Sequence, residues 1–103
     1  EYIKRAAFAL IACIAWHDKR APDERFLAYW PILMRGATDE RNYVKKAVNW
    51  ALRNIGKRNR NLNRAAITLA GQLQRSQSRA ARWIAGDALR ELQSDKVQAR
   101  LKG

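Results

Sequence analysis

At 103 residues the chain is long enough for one domain or for part of a repeat array. Its net charge of +12 favours a polyanionic partner, without choosing between DNA, RNA and an anionic membrane. A single cysteine, Cys13, excludes an internal disulfide and suits a reducing compartment.

The first predicted helix runs from Tyr2 to His17. Ile3, Ala6, Ala7, Leu10, Ile11 and Ile14 make one apolar stripe, expected to be its core face. Phe8, Ala9, Ala12, Cys13 and Trp16 make much of the remaining surface apolar, so the helix should be buried on more than one side. Cys13 is expected to act as a small buried hydrophobe. Lys4 and Arg5 interrupt the apolar run, which is too short to span a bilayer and has no cleavage-type tail. The chain opens at Glu1 with mid-helix character. It therefore reads as a piece of a longer protein whose preceding helix covers the second apolar face; without that helix, a dimer through this face stays open.

Asp18 to Ala21 reads as a polar loop. Pro22 and Asp23 open a second helix to about Arg35, with a kink or break expected at Pro31 and a stop at Gly36. Thr38 or Asp39 should cap a third helix ending at Ile55, before Gly56. Asn59 or Asn61 starts a fourth, to about Gln74. Ser78 caps a fifth, to about Leu92, and Ser94 a short last helix ending near Leu101. Period-two alternation and β-branched runs are missing, so the fold class is all-α.

A faint internal repeat runs through these helices. Tyr2-Ile3-Lys4-Arg5-Ala6-Ala7 matches Tyr43-Val44-Lys45-Lys46-Ala47-Val48, and Lys46-Ala47 with Trp50 matches Arg79-Ala80 with Trp83. The spacing suits HEAT-like repeats stacked as an α-solenoid, with repeats at about 1–37, 38–75 and 76–103. The first, third and fifth predicted helices are then equivalent and line one face.

That face carries the charge. From Arg41 to Gly86 there are eleven Lys or Arg and no Asp or Glu. At about 100° per residue, Val44, Ala47, Val48, Ala51, Leu52 and Ile55 converge on one side of the third helix, opposite Lys46, Trp50, Arg53 and Lys57. On the fifth, Ala80, Ala81, Ile84, Ala85, Ala88, Leu89 and Leu92 oppose Arg79, Trp83, Gly86 and Arg90. Cations with exposed indoles are what a nucleic-acid surface needs: charge for phosphates, a flat ring for a base or sugar. The competing readings are inter-repeat packing for the tryptophans and a solvated face for the charges. Gly86 reads either as tight helix packing or as room for a ligand to approach. Like charges at i, i+4 repel and favour an anionic partner.

Motifs for other chemistry are missing. His17 and Cys13 make no metal set, and no Gly-rich phosphate loop or Ser-centred nucleophile is present. No metal or cofactor is expected. Most carboxylates, including Asp23, Glu24, Asp39 and Glu40, read as helix-start residues that complement the dipole. Asp87 reads as a salt-bridge partner of Arg90 or Arg82. Every apolar stripe is a core stripe, which argues against membrane binding.

VKKAVNWALRNIGKRN (44–59), AAITLA (65–70) and SRAARWIAGDALREL (78–92) resemble the C-terminal part of the AlkD-like DNA alkylation repair family, HEAT-like-repeat DNA glycosylases. The resemblance covers nearly the whole chain. It implies a basic groove for duplex DNA and excision of cationic N-alkylated purines without metal or cofactor. It also implies a cytoplasmic, nucleoid-associated bacterial setting. The family's arginine falls on Arg5 in IKRAA, where it would hold a phosphate beside the lesion. Its groove tryptophan falls on Trp50 in KAVNWALR, with Arg53 beside it; Trp83 follows less directly. Lys46, Arg53, Lys57, Arg79, Trp83 and Arg90 would grip DNA. The family's tryptophan-aspartate signature does not stand in this sequence, so a DNA-binding portion inactive by itself is the expectation. The alternatives are a non-catalytic HEAT-like nucleic-acid module and a protein-binding scaffold.

Overall fold

The computed structural model describes residues 2–17 and 22–101; of these, the side chains of residues 2–5, 16 and 42 lie outside the description. Among the described residues the secondary structure is helical throughout: α1 (Tyr2–His17), α2 (Asp23–Leu27), α3 (Trp30–Ala37), α4 (Asn42–Gly56), α5 (Arg60–Gln74), α6 (Arg79–Leu92) and α7 (Asp95–Arg100). The expected polar loop at Asp18 to Ala21 lies outside the described residues.

Local chemistry accounts for most of the boundaries. Asn59, Ser78 and Ser94 each sit in extended backbone, and their side chains accept from Leu62 N, Ala81 N and Val97 N, satisfying one free donor at the start of α5, α6 and α7. The expected break near Pro31 is a full one. A helix through this point would lose a hydrogen bond and drive the proline ring into the carbonyl of Leu27. The chain turns at Ala28 and Tyr29 instead and restarts at Trp30, which puts Pro31 in the first turn of α3, where its missing N–H costs nothing.

Three expected boundaries are corrected. Gly56, expected to stop the third helix after Ile55, is the last residue of α4, whose C-cap is Lys57. Gly36 does not end its helix, which continues to Ala37. Gly36 is buried, and a Cβ there would overlap the Phe8 ring and crowd Val48, so its smallness serves packing. Neither Thr38 nor Asp39 caps α4, whose N-cap is Arg41 with no side-chain bond. The Thr38 hydroxyl donates back to Arg35 O at 2.9 Å, and Asp39 Oδ1 accepts from Arg41 N at 3.0 Å.

α4 is the central helix. α1 packs along one side of it and α6 along the other, making one layer in the order α1, α4, α6. Behind them α5 packs against both α4 and α6, α3 against α4, α2 against α5, and α7 against the end of α6. This is the layering of stacked helical repeats, with one continuous core. Phe8, Phe26, Leu33, Val48, Leu52, Ile55, Leu62, Ile84 and Leu92 are among its members. Each such side chain contributes about 1.5–3 kcal/mol by leaving water.

The core face of α1 differs from the expected stripe. Phe8, Ile11, Ala12 and Ala15 are buried, whereas Ala6 and Ala7 are exposed and Leu10 is 61% exposed. Ile14 is partly buried against the core, and Ile3 lies outside the described side chains. Cys13, expected to be buried, is exposed as well. On a helix apolar nearly all round, periodicity cannot choose the buried side. The buried side is the one carrying Phe8, whose ring occupies the space left by the missing side chain of Gly36.

Two buried asparagines tie the layers together. Asn63 Nδ2 donates to Gly56 O at 3.0 Å and to Leu92 O at 3.3 Å, and its Oδ1 accepts from Gln98 Nε2 at 3.2 Å. One side chain thereby joins the ends of α4 and α6 to α7. Asn49, in the middle of α4, belongs to the site.

Candidate nucleic-acid interface

The solvent side of α4 and α6 forms one continuous face. Lys46 of α4, Lys57 at its C-cap, and Arg79, Trp83 and Arg90 of α6 are exposed, and Arg53 is partly so. These residues lie opposite the core residues of their own helices, as the 3.6-residue period requires. Arg5 is on α1, but its side chain lies outside the described residues.

The two tryptophans behave differently. Trp83 is 42% exposed, and Lys45 Nζ stands 4.7 Å from its ring centroid, a cation–π contact that crosses from α4 to α6. Trp50 is only half-buried and packs against the core, so it is not stranded in water as the helical period implied. An indole of this size reaches past the edge of its helix, and α4 has neighbours on both sides.

Between α4 and α6 runs a ladder of side chains with an almost constant sequence offset. Asn49 Nδ2 donates to Asp87 Oδ2 at 2.6 Å and Arg53 Nη1 to Glu91 Oε1 at 3.2 Å, each across 38 residues. The offset follows from geometry. Rungs at 45, 49 and 53 on α4, continued by 57 at its C-cap, and at 83, 87 and 91 on α6 are one turn apart on helices running side by side. Arg53 Nε also lies 3.9 Å from Asp87 Oδ2, and Lys57 Nζ is 3.5 Å from Glu91. Asn49, 3% exposed, anchors this ladder in the interior.

Asp87 therefore has a wider role than a bond to Arg90 or Arg82. Arg90 lies 4.0 Å away, but Arg82 turns back to donate to Ser76 O and Gln77 O. Arg53 and Lys57 do have acidic partners, supplied just beyond the acid-free window by α6. Lys45, Asn49, Asp87 and Glu91 were not singled out as site residues by the sequence reading. The i, i+4 spacing of Asn49 with Arg53 and of Asp87 with Glu91 was the available signal.

The lower rim is set by Glu40. Its carboxylate accepts from Ser78 Oγ at 2.6 Å and Ala80 N at 3.1 Å, so it sits at the start of α6 rather than serving α4, the next helix along the chain. The Ser78 hydroxyl, then the Ala80 N–H, hold its carboxyl below the usual range, with Lys45 and Arg79 adding to the effect. Asp23 likewise braces another helix, accepting from Asn59 Nδ2 and Asn61 Nδ2 at 2.9 and 2.8 Å. Arg58 lies 4.3 Å over the Phe26 ring and donates to Ala15 O, which makes it a structural cation.

Gly86 lies on the cationic face between Trp83 and Arg90, and a Cβ built there meets nothing within 4 Å. Tight helix packing does not account for it. Among the described residues, no group of three His, Cys, Asp or Glu could hold a metal ion, and no helix is long and apolar enough to cross a membrane.

No curated protein and no solved structure matches the chain. A family model described as DNA alkylation repair enzyme matches residues 1–92. With nearly the whole chain covered, and with an all-α repeat architecture to match, this protein belongs to the DNA alkylation repair enzyme family.

Proposed function

We propose that this chain holds duplex DNA against the α4–α6 face, as the DNA-binding portion of a glycosylase that releases cationic N-alkylated purines. The observation that carries the reading is Trp83: a large indole, 42% in water, with Lys45 of α4 over its ring, on a helix that also exposes Arg79 and Arg90. A flat, amphipathic ring with this much surface in water is available for a partner to stack on. Phosphates, sugars and bases supply the matching surface.

An N-alkylated purine is already a good leaving group. Breaking its N-glycosidic bond leaves positive charge on the deoxyribose, which a carboxylate stabilises and at which it can place water. The acids on this face, Asp87 and Glu91, are engaged with Asn49, Arg53 and Lys57. The chain's part is accordingly to bind and position. Arg5 holds a phosphate beside the lesion, Trp50 offers the lesion site only the part of its ring that the core leaves uncovered, and Lys46, Arg53, Lys57, Arg79 and Arg90 hold the flanking backbone. Gly86 leaves room for that backbone to approach.

Fluorescence anisotropy with an intact duplex and one carrying an abasic-site analogue, at several salt concentrations, tests the reading. Tighter, strongly salt-dependent binding to the abasic duplex is expected. Equal binding to both would leave a non-specific nucleic-acid module, and no binding at low salt would point to a protein scaffold. Combined Trp50→Ala and Arg5→Ala should weaken abasic-site binding more than bulk duplex binding.

A further inference from the structure

We propose that Asp87 and Glu91 are built-in competitors of the phosphate backbone, setting how weakly this face holds undamaged duplex. The proposal rests on the DNA reading above and adds a control on it. Glu91 holds two of the face's cations at once, Arg53 at 3.2 Å and Lys57 at 3.5 Å. Asp87 stands 3.9 Å from Arg53 Nε and 4.0 Å from Arg90. A phosphate that recruits Arg53 must come within a few ångströms of both carboxylates, well inside the ~10 Å screening length at 0.1 M salt. It must then displace them or share the cation with them.

These acids are not a loose surface pair. Asp87 is pinned by the 2.6 Å bond from Asn49, which is itself buried between α4 and α6. Glu91 is one turn further along α6 and belongs to the same ladder. The carboxylates are therefore already in register with the cations in the free chain, before any phosphate arrives. A base carrying a positive charge is not opposed by such acids, whereas a plain phosphate backbone is. This arrangement suits an enzyme that must pass over long stretches of intact duplex.

The test is the affinity of the 103-residue chain for an intact duplex, by anisotropy across a salt series, for the parent, Glu91→Gln and Asp87→Asn. Asp87→Asn keeps an acceptor for Asn49 while removing the charge. Each variant should bind roughly 3- to 10-fold more tightly at low salt, and Glu91→Gln should steepen the salt slope by about one released counterion. Adding Arg53→Gln and Lys57→Gln to Glu91→Gln should abolish the gain. If the parent binds and both acid variants bind equally or less tightly, the proposal is overturned. If the parent does not bind duplex, the DNA reading itself fails. Circular dichroism melts accompany each variant; should one melt far below the parent, the other decides.

Discussion

Replacing Asp87 by alanine should cost far more stability than an ordinary surface charge. Its carboxylate accepts from Asn49 Nδ2 at 2.6 Å, and Asn49 is buried with no easy route to water. A hydrogen bond to a charged acceptor contributes about 1.5–3 kcal/mol, and a stranded buried donor makes the loss harder to recover. The pairs with Arg53 and Arg90 add only about 0–1 kcal/mol, because all three side chains are partly in water and the distances are 3.9 and 4.0 Å. The expected loss is about 2–3 kcal/mol, which for a domain of this size lowers Tm by roughly 10–20 °C. Arg90→Ala, whose side chain is 78% exposed, should cost under about 0.5 kcal/mol. Urea and thermal melts followed by circular dichroism measure both. A double-mutant cycle isolates the central bond: Asn49→Ala with Asp87→Ala should show coupling above about 1 kcal/mol, and Arg90→Ala with Asp87→Ala nearly none. An Asp87→Ala variant as stable as Arg90→Ala would refute the idea that the ladder is anchored through Asn49.

Four further outcomes are expected. Gly56→Ala should destabilise by about 1–3 kcal/mol, because a Cβ there lies 2.6 Å from Leu92 Cδ2 and 3.0 Å from Ala66 Cβ. Gly71→Ala and Gly86→Ala, with open space at each, should instead stabilise by about 0.5–1 kcal/mol in the same melts; only the Gly86 variant should also weaken duplex binding. Glu40 should contribute acid sensitivity: its folded carboxyl is held low, so its stabilisation is present above the unfolded value and is lost as pH falls through the folded one. Glu40→Gln should flatten stability against pH in that acidic window, and an unchanged profile would remove Glu40 as the cause. Asn63→Ala should cost about 2–3 kcal/mol and speed amide exchange in α7 before the rest, since Asn63 joins Leu92 O to Gln98.

Much of the framework was legible along the chain because its causes are local. Asn59, Ser78 and Ser94 announce helix starts through their own side chains, and Pro31 announces a break through its missing N–H. The buried sides of α4 and α6 follow from the 3.6-residue period, since each helix has a polar side to contrast with an apolar one. The same rule placed Lys46, Lys57, Arg79, Trp83 and Arg90 in water. It failed for α1, where apolar residues on all sides leave no contrast, and for Trp50, whose ring reaches a neighbour that periodicity does not see.

What only the tertiary structure decided is which residues meet between helices. The window from Arg41 to Gly86 holds no acid, which on the sequence left its cations without partners. Packing α6 against α4 brings Asp87 and Glu91 onto Arg53 and Lys57, and Glu40 onto the start of α6. Helix periodicity sets the direction of a side chain around its own axis, a property of neighbours three and four residues away. Contact across 38 residues depends on how two helices slide and turn against each other, and that is set by the whole core at once.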